Sequence, residues 1–587
     1  MGIDQFDIKD GILVKYLGKD TKVEIPDTVT VIGCEAFSES YIKSVIMPDT
    51  VTKIEKSAFE ACCFLEKISF SKNLQIIGES AFSKCNSLMY VEIPDSVVSI
   101  GKFAFSRCSA KYIKLPANLK EISYGAFNSC DLIEINVPRG VESIFSCAFS
   151  SCESLALVFL PETVKHIDES AFSYCNNIEY ISVNENNKYY RSIENSLVEI
   201  KTAKLIKGTH NSKIPNDGTV KIIGAAAFAC IHELHEIVIP DAVTEIGDEA
   251  FSGCRYLTRV SMSANLKALG CKTFSDCVGL SAITLPKGLS QIGTCAFSYC
   301  SSLTEIEIPE GVEKVDFDAF LYCDKLKKVM LPSTLKEIKS GAFSRCEKLS
   351  DISFPESLTG IGEDAFLRCC ELEEVILPDS VESIGEGAFE YCESLKFVKL
   401  PGKLSVIESN VFKGDISLRE IVIPPSVRVI KDGAFISCEK LHAITFSEGL
   451  REIGYYAFGY CEALGEAILP STLKKIEKSA FDRCYTLYRV EIPEGIEAIE
   501  EYTFKCCQGL CEVKLPKSLQ VIKESAFDGC ESLTAIELPL ELSVIGNYAF
   551  QNCRSLKSIN LSHVSDISKK AFLGCDALNN PEHQAQK

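Results

Sequence analysis

The stretch LMYVEIPDSVVSIGKFAFSRC, residues 88–108, decides the fold because its pattern returns along almost the whole chain. Its frame is L-x-x-I-x-I-P-x-x-V-x-x-I-G-x-x-A-F-x-x-C. Self-similarity at a fixed short period is the signature of a solenoid, in which each repeat forms one coil. The phenylalanines that mark the repeats are Phe37, Phe59, Phe82, Phe105, Phe127, Phe149 and Phe172, then Phe228 and every twenty-third residue to Phe550, and Phe572.

Each part of the frame predicts a local structure. The alternating apolar residues before Pro predict one short strand, and Pro ends it because it has no N–H to donate to a ladder. Ser71, Ser263 and Ser447 replace Pro in three repeats. The V-x-x-I segment predicts a second short extended piece, and A-F-x-x-C predicts a tight helical or 3₁₀ turn.

A single repeat cannot bury its own apolar side, whereas stacked repeats cover one another. Parallel stacking places successive strands about 4.8 Å apart. Each Leu, Ile, Val, Phe and Cys of the frame then lies above its counterpart in the next coil. The sequence therefore predicts a strand-rich parallel solenoid with one coil for every 22–23 residues.

The recurring Cys, three residues after Phe, has two interpretations. It could be a reactive, disulfide-forming or metal-binding device, or it could be a small apolar residue that fills one core position many times. Neighbouring thiols would lie within disulfide range, yet parallel Cα–Cβ vectors do not bring their sulfurs together. Ser40, Ile231 and Asp415 also replace this Cys. We therefore predict a reduced, buried ladder of thiols.

The frame resembles the BspA-like leucine-rich repeats. EIPDSVVSIGKFAFSRC (92–108) and IVIPDAVTEIGDEAFSGC (237–254) carry the resemblance, with "IP" ending the strand, then "IG", then "AF" and Cys. It implies a leucine-rich repeat solenoid that serves as a binding scaffold and carries no chemistry. Members of that family are abundant in host-associated bacteria and mucosal protists, and some are surface proteins that bind extracellular matrix proteins or mediate adhesion.

The spacing of the repeats divides the chain. Asp10-Gly11 is a strong hairpin-turn signal, and Asn195-Ser196 is a weaker one inside a polar interruption. We expect a short hairpin around each, with the first shielding the open end of the stack. The predicted segments are an N-terminal hairpin cap (1–24), a first array (25–184), a hairpin-like insertion (185–216), a second array (217–575) and a polar tail (576–587).

Composition limits the partners. Asp and Glu number 81 against 61 Lys and Arg, a formal charge of −20, which disfavours nucleic acid and anionic membranes and favours basic partners. No apolar run is long enough to cross a bilayer. The N-terminus lacks the basic and apolar regions of a signal peptide. We expect a cytoplasmic monomer without membrane insertion, the alternative being the cell surface by a non-classical route.

The sequence offers little chemistry. Seven His are present, and the one local cluster, HELH at 232–235, lacks the i, i+4 spacing of a zinc helix. No C-x-x-C, P-loop, G-x-S-x-G or post-strand G-x-G-x-x-G occurs. We therefore predict no catalytic residue, no metal and no cofactor. An enzyme remains the rival class.

The exposed strand positions are where a solenoid binds its partners. Between the two aliphatic residues of the strand, apolar side chains recur in alternate coils at Met330, Ile376, Val422 and Ile468, with Glu two residues earlier at 374, 420 and 466. Glu236 and Val238 repeat the arrangement, and Phe397 is a further aromatic anchor.

Two explanations fit this alternation. A two-repeat unit was duplicated without divergence of its surface, or the face binds a basic, amphipathic protein partner. On the second explanation the chain is a non-enzymatic interaction scaffold. The alternative within the binding class is a surface adhesin for host or matrix proteins.

Overall fold

The computed structural model describes residues 5–578, so the ends of the predicted cap (1–4) and tail (579–587) lie outside the described residues. The chain divides into two compact units, Met1–Leu289 and Ser290–Lys587. In each unit the chain winds through successive coils, and most coils contribute two short strands that pair in parallel with neighbouring coils. The predicted strand-rich parallel solenoid is confirmed.

We call the strands that precede Pro row A. Their middle residue points into the core and its neighbours point out, as in Glu374–Ile376, where Val375 is buried. In the first unit row A comprises Lys22–Glu24, Ser44–Ile46, Lys67–Ser69, Tyr90–Glu92, Tyr112–Lys114, Glu134–Asn136, Leu157–Leu160, Tyr180–Val183, Glu236–Val238 and Arg259–Ser261. In the second unit it comprises Glu305–Glu307, Lys328–Met330, Asp351–Ile352, Glu374–Ile376, Phe397–Lys399, Glu420–Val422, Ala443–Thr445, Glu466–Ile468, Arg489–Glu491 and Glu512–Lys514.

We call the two-residue strands that follow Pro row B; they are the predicted second extended piece. In the first unit they are Val31–Ile32, Lys53–Ile54, Ile76–Ile77, Ser99–Ile100, Glu121–Ile122, Ser143–Ile144, His166–Ile167, Ile222–Ile223, Glu245–Ile246 and Ala268–Leu269. In the second they are Gln291–Ile292, Lys314–Val315, Glu337–Ile338, Gly360–Ile361, Ser383–Ile384, Val406–Ile407, Val429–Ile430, Glu452–Ile453, Lys475–Ile476, Ala498–Ile499, Val521–Ile522, Val544–Ile545 and Asp566–Ile567.

The frame Pro forms a turn between the two rows. Its carbonyl accepts the N–H of the residue three positions later, as in Val97 N to Pro94 O at 3.0 Å. Where Ser263 replaces Pro, its carbonyl keeps this bond, with Leu266 N at 3.5 Å, and its hydroxyl adds two further bonds. Ser263 Oγ donates to Val243 O at 2.6 Å and accepts from Asn265 N at 3.1 Å. A side chain that is both donor and acceptor can therefore substitute for the ring.

The turn around each Phe is seldom helical. Within residues 6–578 only Glu169–Phe172 forms a 3₁₀ helix, and no helix there is long and apolar enough to cross a bilayer. Elsewhere the residues two before and two after Phe adopt left-handed backbone, such as Ser57 (φ 54°) and Ala61 (φ 57°) around Phe59.

These left-handed residues turn alternate N–H groups toward the next coil. Ser57, Phe59 and Ala61 all donate there, each over 2.8 Å. A helical turn would direct those N–H groups within its own coil instead. The turns therefore hydrogen-bond neighbouring coils just as the two strand rows do.

The Phe rings stack face to face along each unit, as with Phe366 and Phe389, whose centroids are 5.2 Å apart at 2°. The twenty cysteines at the recurring position are buried, as predicted. Most of their thiols donate to the Phe carbonyl of the preceding coil, whereas the Cys108 thiol donates to Cys85 O at 3.3 Å. Phe366 O accepts Cys369 N at 3.1 Å and Cys392 Sγ at 3.3 Å. Burial raises the pKa of most of these thiols, to about 12 at Cys108.

Two hairpins flank regular stretches of row B in the first unit. Phe6–Lys9 and Ile12–Tyr16 pair antiparallel, and Ile12–Tyr16 continues into row B beside Val31–Ile32. In the insertion Tyr190–Ile193 and Ser196–Glu199 pair antiparallel around left-handed Glu194 and Asn195, one residue before the expected turn. Lys204–Lys207 follows and pairs in parallel with Ile222–Ile223, so the insertion joins row B.

The burial of the thiols predicts their reactivity. In the native protein we expect a maleimide to label only the nine cysteines outside the ladder, fastest at exposed Cys34, Cys271 and Cys511. The twenty ladder thiols should react only after denaturation, because burial blocks access and disfavours the thiolate. Peptide mapping of labelled native and unfolded protein measures this. Native labelling at Cys369 or Cys461 would contradict the ladder.

Asp415 occupies a ladder position and predicts a pH-dependent weakness. Its side chain is fully buried, Oδ1 accepts Cys392 N at 2.8 Å, and Oδ2 has no partner within residues 5–578. Burial raises its pKa well above the ordinary value. The unfolded carboxyl releases its proton near pH 4, so stability falls as pH rises from there toward the folded pKa.

We expect Asp415→Cys to stabilise the second unit by about 1–3 kcal/mol at neutral pH, because it removes an unsatisfied buried group. The advantage of the variant should grow as pH rises from about 4. Urea unfolding across this pH range measures it. Parallel pH profiles of the two proteins would show that Asp415 does not bind its proton more tightly when folded.

Candidate protein-binding face

The predicted partner-binding residues lie on the exposed side of row A. Val422 keeps 59% of its surface, Ile376 50% and Phe397 39%, and Val238, Met330 and Ile468 are exposed as well. The acidic members Glu236, Glu374, Glu420 and Glu466 are also exposed. The inward aliphatic residues between them hold each strand in place, so the outward positions can vary without loss of the core.

The structure brings only some of these residues together. In the second unit row A is split into three hydrogen-bonded groups, and the middle group runs from Glu374–Ile376 to Ala443–Thr445. This group carries five predicted residues, which we call patch A: Glu374, Ile376, Phe397, Glu420 and Val422. Met330 lies in the preceding group, Glu466 and Ile468 lie in the following one, and Glu236 and Val238 lie in the first unit.

Patch A consists of two adjacent columns of side chains. Register pairs Glu374 with Phe397 and Phe397 with Glu420, so the aromatic ring stands between two carboxylates. In the next column Ile376 pairs with Lys399, and Val422 pairs with Thr445. At about 4.8 Å per strand, the two carboxylates stand about 9.6 Å apart along the stack.

The carboxylates of patch A are not neutralised by the protein. Within residues 5–578 neither Glu374 nor Glu420 forms an ion pair. Nearby carboxylates are paired: Lys396 meets Glu373 at 2.8 Å, and Lys328 meets Asp351 at 2.8 Å, where the carboxylate raises the pKa of the lysine. Patch A therefore presents two charges that an external cation can meet.

The apolar side chains do not form a continuous strip. Ser353, Lys399 and Thr445 occupy the same column in the intervening coils, so Met330, Ile376, Val422 and Ile468 are separated by polar positions. The hydrophobic surface is a set of isolated spots. Patch A differs from the other spots because Phe397 adds a ring beside Ile376 and Val422.

A cleft of about 660 Å³ borders patch A where row A is broken between Asp351–Ile352 and Glu374–Ile376. Glu374 and Ile376 form one wall. Serines, carboxylates, an isoleucine and a phenylalanine complete the lining: Ser350, Asp351, Ile352, Ser353, Phe354, Glu371, Glu373 and Ser394. Within the described residues no backbone hydrogen bond joins 350–354 with 373–377.

A single substitution in the frame explains this break. Phe354 stands where other coils carry the second aliphatic residue, and its ring packs edge-on against Phe366 at 5.6 Å and 87°. The larger ring displaces the strand outward, so Ile352 is only half-buried. Phe446 packs in the same way on Phe458, and the second break in row A of this unit follows it.

The cleft residues were missed at the sequence level, although a signal exists. The I-S-F at 352–354 and the I-T-F at 444–446 depart from I-x-I by one bulky ring. Phe70, in the first unit, shows the same edge-on packing on Phe82, and Lys67–Ser69 ends its hydrogen-bonded group. A phenylalanine at this position therefore indicates a break in the strand row.

Within residues 5–578 no three His, Cys, Asp or Glu side chains are arranged to hold an ion. His235 lies beside Tyr256, with ring centroids 6.1 Å apart, while His232 lines a separate cavity in the first unit. The two histidines of the HELH stretch thus have different surroundings.

The sequence model described as "BspA type Leucine rich repeat region (6 copies)" matches this chain repeatedly. The matched residues are 15–95, 81–198, 221–349, 268–396, 313–442, 361–488, 406–531 and 480–585. No curated protein matches the chain.

Solved structures of leucine-rich repeat proteins are similar to parts of it. A leucine-rich repeat protein from Bacteroides ovatus is 26% identical, with 66% of this chain and 88% of that chain covered and a TM-score of 0.47. A leucine rich cell surface protein from Faecalibacterium prausnitzii is 25% identical, with 60% and 91% covered and a TM-score of 0.42.

Phe354→Leu should close the break in row A. A smaller aliphatic residue lets strand 351–352 move inward and pair with 374–376, and each new hydrogen bond adds about 1 kcal/mol. We expect amide exchange at residues 373–375 to slow by up to about tenfold. Hydrogen exchange with mass spectrometry measures this, and the already paired Glu420–Val422 serves as the internal control. Unchanged exchange at 373–375 would show that Phe354 does not cause the break.

Proposed function

Because the chain belongs to the BspA-type leucine-rich repeat family, we propose that it is a non-enzymatic scaffold whose patch A binds a basic, amphipathic segment of another protein. One observation carries the proposal: an exposed phenylalanine stands between two carboxylates that have no cation of their own. An exposed aromatic side chain that a partner can bury is a common centre of a protein-binding surface.

The spacing of patch A favours an amphipathic helix lying along the stack. The two carboxylates are about 9.6 Å apart, two strand spacings. On an α-helix, residues i and i+7 are about 10.5 Å apart and share a face. Lysine or arginine at i and i+7 would then meet Glu374 and Glu420, while apolar residues at i+3 and i+4 cover Phe397.

The neighbouring apolar spots and the cleft determine the direction in which the helical segment lies and which segments can bind. Ile376 and Val422 flank the ring in the adjacent column, so they contact the apolar face of the helix. The cleft opens beside Glu374, where it can receive one long side chain from the end of the segment. Lys399, between Ile376 and Val422, disfavours a third cation at the centre of the helix.

The opposite net charges of the partner segment and the scaffold also attract each other at a distance. The chain carries a formal charge of −20, so a basic segment is drawn toward the acidic surface. The same charge repels nucleic acid, which supports a protein partner over a polynucleotide. Added salt should therefore slow association. Near physiological ionic strength the Debye length is about 8–10 Å, and charges farther apart than this are largely screened.

A synthetic helical peptide tests the proposal directly. It carries Lys at i and i+7 and Leu at i+3 and i+4, and its matched control moves the second Lys to i+5. We expect the first peptide to bind the full chain at least about tenfold tighter. Glu374→Lys with Glu420→Lys should remove that difference, because like charges then face each other. Fluorescence anisotropy gives both affinities.

The control for the variant is a charge reversal of equal size on another edge. Glu393→Lys with Glu439→Lys changes two exposed carboxylates two coils apart on the turn edge, four residues after Phe. Both double variants change the net charge equally, so both share a small, salt-dependent loss of affinity. Apart from that loss, this control variant should bind the peptide as the unaltered protein does. Equal weakening by the two double variants would mean that net charge, and not patch A, attracts the peptide.

A further inference from the structure

Tyrosine rings and cations lie next to each other along the turns of the second unit. Arg368, from the preceding coil, lies 5.0 Å from the centroid of the Tyr391 ring, and Lys413, from the following coil, lies 5.6 Å from it. Tyr502 also has two cations over its ring, at 5.9 and 5.1 Å. The face of an aromatic ring attracts a cation through its quadrupole. Two of these rings are therefore each matched with two cations.

Tyr455 has a cation on one side only. Lys478, from the following coil, lies 6.0 Å from the centroid of its ring. Within residues 5–578 no cation lies over this ring from the preceding coil, where Asp432 and Gly433 stand. A pocket of about 370 Å³ opens on that side instead. The side of Tyr455 that faces the preceding coil is therefore accessible to a ligand.

We call this cavity the tyrosine pocket. Its lining comes from four successive coils: Glu386, Ser409, Asn410, Lys413, Asp432, Gly433, Ile436, Tyr455 and Tyr456. The pocket is open because Gly433 has no side chain, whereas the coils on its two sides carry Asn410 and Tyr456 at the same position, two residues before Phe. The rings of Tyr455 and Tyr456 form a corner, with centroids 4.5 Å apart at 77°.

Two carboxylates of the tyrosine pocket have no cation of their own. Glu386 and Asp432 are exposed, and neither forms an ion pair within residues 5–578. Lys413, which also lines the pocket, is paired with Glu390 over 2.9 Å, and this contact raises the pKa of the lysine. The pocket therefore presents two unpaired negative charges beside aromatic rings, which favours a positively charged ligand.

The cavity beside the insertion shows no such preference. The insertion interrupts the hydrogen bonds between coils along the turn edge, so that within residues 5–578 the Tyr174 N–H has no partner. The resulting cavity of about 440 Å³ sets Arg255 against Glu153 and Asp276. Because charges of both signs line it, they do not select one charge of ligand. The tyrosine pocket is the more selective of the two.

The spacing of the two carboxylates suits a ligand with two ammonium groups. Glu386 and Asp432 both stand three residues before Phe, in coils two apart, so their positions are about 9.6 Å apart along the stack. Glu386 Oε1 accepts Asn410 Nδ2 from the following coil at 3.4 Å. Asp432 Oδ1 accepts Tyr455 N, also from the following coil, at 2.9 Å. Both side chains lean in the same direction, so the carboxylates keep this separation, with uncharged Ser409 between them.

We propose that the tyrosine pocket binds a linear aliphatic diamine, with its chain along the stack. One ammonium meets Glu386. The other meets Asp432 and lies against the Tyr455 ring, in the place that a cation of the preceding coil holds over Tyr391. The methylene chain between them packs against half-buried Ile436. This site lies on the turns and is separate from patch A, which lies on row A.

Cadaverine, a five-carbon diamine, is the probe. Pentylamine, which has the same length and one ammonium, and ethylenediamine, which is too short to reach both carboxylates, are its controls. Calorimetry on the full chain should show cadaverine binding at least about tenfold tighter than either control, the size of one charged hydrogen bond. Equal affinities for cadaverine and pentylamine, or no binding of cadaverine, would overturn the proposal.

Substitutions of the exposed carboxylates test the two ends of the ligand. Glu386→Gln and Asp432→Asn should each weaken cadaverine binding at least about tenfold. Glu363 is the matched control, because it is exposed, holds the same frame position one coil earlier and lies outside the pocket. Glu363→Gln should change the affinity by less than about twofold. Equal weakening by Glu363→Gln and Glu386→Gln would show that net charge alone attracts the diamine and would refute the site.

A pair of substitutions at Tyr455 tests the contact with the ring. Tyr455→Leu keeps an apolar side chain but removes the aromatic face, and it should weaken cadaverine binding at least about threefold. Tyr455→Phe keeps the face and should bind within about twofold of the unaltered protein. Tyr455 is exposed, so both variants should fold. Equal affinities of the two variants would overturn the contact between the ammonium and the ring.

Discussion

The carbonyl group of the frame Phe is the point on which the stack depends. It is buried, and it accepts two donors: an N–H from its own coil and a thiol from the next, as Phe228 O accepts Ile231 N at 3.2 Å and Cys254 Sγ at 3.1 Å. The residue three positions after Phe must therefore be small, tolerate burial and still donate a hydrogen bond. Cysteine has all three properties. The aromatic ring fixes the separation of the coils, and the thiol satisfies the polar group that the stacking would otherwise leave unpaired.

The regular parts of this arrangement could be predicted from the sequence because they depend on local pattern. Alternation before Pro gives row A, and a short apolar piece after it gives row B. The left-handed residues beside each Phe could not be predicted. They include Lys84, Arg107 and Glu249, residue types that seldom adopt positive φ. Their backbone is set by N–H groups that must reach the next coil, a constraint that no single repeat contains.

The candidate site also has features that the sequence predicts and features that it does not. The outward direction of Glu374, Ile376 and Val422 follows from the two-residue period of a strand, and the structure shows them exposed. Their grouping with Phe397, apart from Met330 and Ile468, depends on where row A breaks. That break arises from one bulky side chain pressing on a ring twelve residues away in sequence, at Phe354 and Phe366. Periodicity cannot reveal such an effect, because it treats Phe and Leu as equivalent apolar residues.

Irregularity, rather than repetition, gives this solenoid its distinct surfaces. A perfectly regular stack offers the same columns at every coil, so a partner could slide along it without preference. Phe354 and the insertion each interrupt one type of inter-coil hydrogen bond, the first in row A and the second along the turn edge. Each interruption creates a cavity flanked by groups that the regular coils satisfy internally. The core tolerates both because the remaining contacts between coils persist, so the stability of the stack permits local defects that can acquire a binding role.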